Sequence, residues 1–217
     1  MSRALRLALF QHHPAEGPGR VAAWARAQGH VLDVFPTAAG ADPDACASHD
    51  ALILLGGPAS ALAPPDWLRA EADVLRRRVA AARPMFGICL GAQLLAQAMG
   101  ATLQSLPAPE LGWTAIEFRD GRVLEFLQWH ADAFTLPPAA VALAGSAAWP
   151  TQMFASRDGR QVGVQFHPEW TDDDVRTLHT AFDGDCPLSP HAEPARQARV
   201  DAWFVSELDA WASTFAG

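Results

Sequence analysis

The sequence predicts an α/β fold: a mostly parallel sheet with helices on both faces and antiparallel strands added at one edge. Three observations predict it. Through the first hundred residues, short apolar runs alternate with segments whose apolar residues recur at helical spacing, which is the pattern of a parallel sheet with crossover helices. The run Ala51-Leu52-Ile53-Leu54-Leu55 has no polar face, as expected of a strand covered on both sides. After residue 100 the runs become short and strand-like, and Asp120-Gly121 and Asp158-Gly159 read as turn pairs between them.

Leu5 to Phe10 is the first strand, followed by a loop from Gln11 to Gly19 that carries Pro14, Gly17, Pro18 and Gly19. Arg20 to Gln28 places Val21, Trp24 and Ala25 on one helical face, and Gly29 ends it. His30 to Phe35 is the second strand, and Pro36 to Ser48 is loop-like. The apolar run from Ala51 to Leu55 ends in Gly56-Gly57-Pro58. Asp66 to Ala82 is a helix with Trp67, Leu68, Ala72, Leu75 and Val79 inward, and Arg76-Arg77-Arg78 read as a solvated face.

A fourth strand ends in Gly87-Ile88-Cys89-Leu90-Gly91, and its helix runs to Met99, where Gly100 stops it. The later strand-like runs are Thr102–Ser105, Thr114–Phe118, Val123–Phe126, Val141–Gly145, Gln152–Ser156 and Val162–Phe166. Thr171, followed by three aspartates, is a helix N-cap with acids in its first turn. Asp183 to Pro194 is polar and proline-rich, hence a loop. Val200, Phe204, Leu208, Trp211 and Phe215 mark one face of a closing amphipathic helix.

The 217 residues suffice for one large domain with a full core. A net charge of −8, with arginine as the only cation and no basic run, argues against nucleic acid as a partner. Cys46, Cys89 and Cys186 show neither a disulfide framework nor metal spacing, which fits a reducing compartment and no metal. The first ten residues are too short and too interrupted by charge for a signal peptide, and no apolar run reaches membrane-spanning length. The expected location is cytoplasmic, away from membranes.

Gly-x-Cys-x-Gly at a strand-to-helix junction is the thiol form of a nucleophile elbow. The helix that starts near Leu90 aims free N–H groups and a positive dipole end at the Cys89 sulfur, which favours thiolate. A lone buried cysteine is more often plain core, so the elbow needs company. The stretch Gly163-Val164-Gln165-Phe166-His167-Pro168-Glu169 supplies it: a strand delivers His167, and Glu169 sits close enough in the turn to reach the imidazole. A thiol nucleophile needs an imidazole to handle its proton and an acid to orient that imidazole. His12 and His13 also follow a strand end, but read as loop residues.

Gly87 to Gln93, Gln165 to Glu169 and Leu55 to Pro58 together resemble the class I (triad) glutamine amidotransferase family, over about residues 1–182. The resemblance implies a flavodoxin-like sheet, with residues 183–217 as a loop and an amphipathic helix packed on the same domain. It implies Cys89 as nucleophile, His167 as general base and acid, and Glu169 as the orienting carboxylate. It places an oxyanion hole at the N–H groups of Gly57 and Leu90, and substrate contacts at Gln93, Trp129 and His130. Gln128-Trp129-His130-Ala131-Asp132, Glu110-Leu111-Gly112-Trp113 and the loop at Glu16-Gly17-Pro18-Gly19 are similar to the stand-alone branch related to the amidotransferase domain of GMP synthetase.

The implied reaction is hydrolysis of the glutamine side-chain amide through a γ-glutamyl thioester, without a cofactor. The released ammonia would go to a separate synthase subunit, since nothing after Glu169 resembles a nucleotide-binding loop. An alternative is a stand-alone γ-glutamyl hydrolase or peptidase. A second alternative is a non-catalytic regulatory subunit on the same fold, which intact Cys89, His167 and Glu169 argue against.

Overall fold

A computed structural model describes residues 3–183, 186–188 and 193–216; part of the loop expected over 183–194 lies outside them. The chain runs β1 (Arg6–Phe10), α1 (Gly19–Ala27), β2 (Val31–Phe35), β3 (Ala51–Leu54), α2 (Asp66–Ala80), β4 (Met85–Ile88), α3 (Leu90–Ala98), β5 (Leu103–Phe118), β6 (Val123–Phe134), β7 (Ala140–Gly145), β8 (Met153–Ser156), β9 (Gln161–Val164), α4 (Asp172–Ala181) and α5 (Pro194–Ser213). The described strands form one sheet in the order β2-β1-β3-β4-β9-β8-β7-β5-β6. The first five in that order are parallel, and the remaining pairings are antiparallel. The open α/β fold with added antiparallel strands is therefore the one the sequence predicts.

Alternation along the strands builds two cores. Leu7 and Leu9 of β1, with Ile53, Phe86 and Ile88, pack under α1 and α5, which contribute Val21, Trp24, Phe204, Leu208 and Trp211. Ala8 and Phe10, with Leu52, Leu54 and Met85, face α2 and α3, which contribute Leu68, Val74, Leu75, Leu94 and Leu95. Successive strand side chains point to opposite faces, so each apolar strand feeds both layers.

Four local expectations change. The segments around Thr102 and Thr114 are one strand, β5, whose register against β6 shifts between Ser105 and Glu110. That irregular stretch holds Pro107 and Pro109, which cannot donate to a ladder and so sit where pairing lapses. The β6 strand extends through Gln128, Trp129 and His130 to Phe134. In α2, Arg76 and Arg77 are exposed as expected, but Arg78 is buried and donates from Nη2 to Pro84 O at 3.4 Å. The segment 36–48, read as loop, contains short 3₁₀ turns at Thr37–Ala39 and Pro43–Ser48.

Neighbouring parallel strands bring their carboxyl ends side by side. The loops after β1, β3, β4 and β9 therefore converge on one edge, where ligands bind in open α/β sheets. Cys89, Gly56-Gly57, His12 and His167 all lie in those loops.

Candidate active site

Cys89 joins β4 to α3 with φ 50° and ψ −111°, a conformation that L-residues rarely adopt. Holding a non-glycine residue there costs about 1–3 kcal/mol. The surroundings enforce it. The Cys89 N–H donates to Val164 O at 2.8 Å, tying the elbow to β9. A Cβ on Gly91 would lie 2.4 Å from Leu54 O, and one on Gly87 would lie 2.6 Å from Gly91 O, so only glycine lets strand and helix approach this closely. Leu90 is the first residue of α3, so its N–H belongs to the set that a helix cannot satisfy internally.

His167 sits three residues past the end of β9, and its N–H donates to Leu127 O at 2.9 Å. Its Nδ1–H donates to Glu169 Oε1 at 2.8 Å, with both side chains almost fully buried. The other nitrogen, Nε2, has no hydrogen-bond partner among the described residues. Burial opposes charge on this imidazole, but the Glu169 carboxylate and the Cys89 sulfur outweigh it and raise its pKa to about 10. The ring lies flat on Trp170.

The turn after His167 is buttressed from the far end of the chain. Arg20 donates its backbone N–H to Glu169 O at 2.9 Å and its guanidinium to Pro168 O and Trp170 O. Gly19, at φ 42°, approaches so closely that a Cβ there would lie 2.3 Å from Glu169 O.

Gly56 marks where the pieces meet. A Cβ on it would lie 2.9 Å from His167 Cε1, 3.6 Å from Cys89 Cβ and 2.7 Å from Glu16 Oε2. Glu16 is buried, and that burial pushes its pKa up to about 7, aided by the Glu169 charge and opposed by His167 and His12. A cleft of about 490 Å³ opens over these groups, lined in part by Cys89, His167, Gly57, Glu16, Gln93 and Trp129.

The predicted substrate-contact residues also gather here, and His130 lines the same cleft. Gln93 is buried; its Nε2 donates to Asp132 O at 3.0 Å and to Gln165 Oε1 at 3.3 Å. Gln165 Nε2 in turn donates to Cys89 Sγ at 3.7 Å. The Cys89 thiol points at Trp129 O, 3.9 Å away. His130 binds Asp132 O through Nδ1 at 3.0 Å, and its Nε2 lies 3.3 Å from Glu110 Oε2. Burial raises the Glu110 pKa, but hydrogen bonds from His130 and Ser146 outweigh it and lower the pKa overall.

The structure brings Cys89, His167, Glu169, Gly57, Leu90, Gln93, Trp129 and His130 together, and adds four residues that the sequence does not assign to the site. Glu16 stands in the sequence only as part of a loop motif. His12, read as a loop residue, is buried against Gly56 O and Glu71. Trp170 and Phe182 wall the cleft beside Trp129. For His12 and Glu16, the available signal was position: both follow the carboxyl end of a parallel strand. Trp170, directly after the His-Pro-Glu turn, offered the same kind of clue.

Sheet, elbow and His–Glu pair together define an open α/β protein with a cysteine at the carboxyl end of a central strand. Comparison with known proteins places it further. Residues 21–179 match the family model described as glutamine amidotransferase class-I. A putative glutamine amidotransferase-like protein, YfeJ, from Salmonella typhimurium is 30% identical over 192 residues, covering 80% of each chain. The GMP synthase [glutamine-hydrolyzing] of Thermus thermophilus is 38% identical over 127 residues, 55% of this chain. That match spans only 24% of the synthase, about a quarter of its length. A glutamine amidotransferase structure from Thermotoga maritima shares the fold with a TM-score of 0.87 and 24% identity, covering 96% of this chain and 98% of that one. The chain belongs to the class I glutamine amidotransferase family.

Proposed function

We propose that this protein hydrolyses the side-chain amide of glutamine through a thioester on Cys89. The observation that carries the reading is the meeting of a strained cysteine elbow with a buried His167–Glu169 pair whose second imidazole nitrogen is unpaired among the described residues. Family membership supports glutamine as the substrate class.

In this reading the Cys89 thiolate attacks the amide carbon. Charge builds on the carbonyl oxygen, where the N–H groups of Gly57 and Leu90 donate to it. The intermediate collapses as the C–N bond breaks, and His167 gives its Nε2 proton to the departing ammonia. Water then attacks the γ-glutamyl thioester while His167 takes its proton, releasing glutamate and restoring Cys89. Glu169 keeps the imidazole oriented throughout. Gln93, Trp129 and His130 frame the bound substrate.

The ammonia would pass to a separate synthase subunit, a role supported by relatives named as glutamine-hydrolysing GMP synthases. A second reading is a γ-glutamyl hydrolase acting alone. The cleft's volume of about 490 Å³ favours it, because a side chain the size of glutamine leaves space beside Trp129, Leu111 and Phe182. We also assign residues 1–182 to the amidotransferase domain, 183–217 to a C-terminal segment whose amphipathic helix packs on the same domain, and a cytoplasmic location. None of the described helices is long and apolar enough to cross a membrane.

The test is release of glutamate and ammonia from glutamine and from a panel of γ-glutamyl amides, with Cys89→Ala as control. Cys89-dependent turnover supports the reading, and the preferred leaving group separates its two forms. A Cys89 inert to a glutamine-shaped electrophile overturns it.

A further inference from the structure

We infer that the buried pair His12–Glu71 is a positioning device that sets the direction of the Gly57 N–H. This rests on the proposed oxyanion role of Gly57 and deepens it. His12 Nδ1 lies 3.0 Å from Gly56 O, and its Nε2 lies 3.0 Å from Glu71 Oε2. A backbone carbonyl can only accept, so Nδ1 carries a proton and donates it. Gly56 C=O and Gly57 N–H belong to one peptide unit, and no peptide bond among the described residues is cis. In a planar trans peptide the carbonyl and the N–H point in opposite directions. Anchoring the carbonyl on His12 therefore aims the N–H away from His12, and Gly57 borders the cleft that holds Cys89.

The rest of the packing serves the same peptide. A Cβ on Gly57 would lie 2.6 Å from His12 Cβ and 3.2 Å from Leu90 Cδ2, so the unit is gripped between the histidine and the start of α3. The His12 ring also lies against Trp67, with centroids 5.6 Å apart. Trp67 and Glu71 are one helical turn apart on α2, so that helix presents one residue to the ring's face and another to its edge. Both His12 and Glu71 side chains are fully buried. Glycine-glycine is the most permissive dipeptide a loop can contain. Without an anchor this peptide would be free to rotate, and an oxyanion donor must be fixed before charge develops.

Removing His12 alone would strand a buried carboxylate, so the variants share a Glu71→Leu background. His12→Asn with Glu71→Leu keeps a side-chain N–H near the Nδ1 position. His12→Leu with Glu71→Leu removes it. Two probes of Cys89 are followed. Methyl methanethiosulfonate modifies a thiolate and has no carbonyl to polarise; 6-diazo-5-oxo-L-norleucine presents a glutamine-shaped ketone to the oxyanion site.

The expected result is a loss of at least about tenfold in the diazoketone rate, and in kcat where turnover is measurable, for the His12→Leu double variant. Complete loss of one such donor costs roughly 10²–10³ in kcat. The methanethiosulfonate rate should stay within about twofold, and the His12→Asn double variant should recover most of the diazoketone rate. Equal diazoketone rates in the two double variants would overturn the inference, as would parallel loss of both probe rates in the His12→Leu variant. A wild-type Cys89 inert to the diazoketone would instead overturn the proposed function and the oxyanion role on which this inference stands.

Discussion

His167 lies face to face on Trp170, with ring centroids 3.5 Å apart and planes 7° from parallel. Glu169 fixes the imidazole in its own plane by a hydrogen bond, and Trp170 fixes the tilt of that plane. An indole face also attracts the cationic form of the ring. Trp170 Nε1 has no hydrogen-bond partner among the described residues, so the indole acts through its face alone. Trp170→Phe should therefore keep most activity and stability. Trp170→Ala should cost about 3–5 kcal/mol and lower kcat well over tenfold. Chemical denaturation alongside glutaminase assays checks both.

The acidity of His167 fixes how stability varies with pH. Its folded pKa of about 10 lies above the ordinary histidine value of 6.5. The folded state therefore holds a proton that the unfolded state releases first. The stabilisation is complete below about pH 6.5 and is lost as pH rises through 10. Wild-type unfolding free energy should fall between pH 7 and 10. Glu169→Gln removes the neighbouring charge that raises the imidazole pKa, so its profile should be flatter over that window in urea titrations.

Glu16 shifts in the same direction, but there it is the charged form that the fold disfavours. Its pKa rises from 4.5 to about 7 because burial penalises the carboxylate. The penalty is absent below about pH 4.5 and complete above 7. Glu16→Gln should thus stabilise the protein at pH 8 by up to about 3 kcal/mol and leave stability at pH 4.5 nearly unchanged. A gain at both pH values would show that ionisation is not the cause.

The parts of this site legible in the sequence are those written over a few consecutive residues. Gly87 to Gly91 encodes strand, turn and helix in one short stretch, and the His-Pro-Glu turn is equally local. Distance hid the rest. His12 meets Gly56 and Glu71 at separations of 44 and 59 residues, and nothing in the loop sequence names either partner. Arg78 shares a triplet with two exposed arginines, yet its place on the helix turns it inward. The sequence shows two separate runs for β5 because Pro107 and Pro109 suppress a strand pattern, while pairing on both sides of the bulge carries the strand through. Fold class survived these errors because it depends on the alternation of apolar runs, which no single boundary changes.

Two nearby glycines offer a direct test of how the first loop supports the His167–Glu169 pair. Among the described residues, a Cβ at Gly17 would meet nothing within 4 Å, and no left-handed φ is present there. Gly17→Ala should be neutral in stability and activity. At Gly19 the φ is 42° and the Cβ would lie 2.3 Å from Glu169 O, a backbone atom that can yield only by moving the turn. That turn carries the carboxylate that orients His167. Gly19→Ala should therefore destabilise the protein by at least about 2 kcal/mol, from strain and collision together. It should also lower kcat more than tenfold in the fraction that remains folded, because displacing Glu169 frees the imidazole to turn. Thermal unfolding and kcat measured on both variants decide the matter: equal behaviour of the two would mean that the loop does not brace the His167–Glu169 pair.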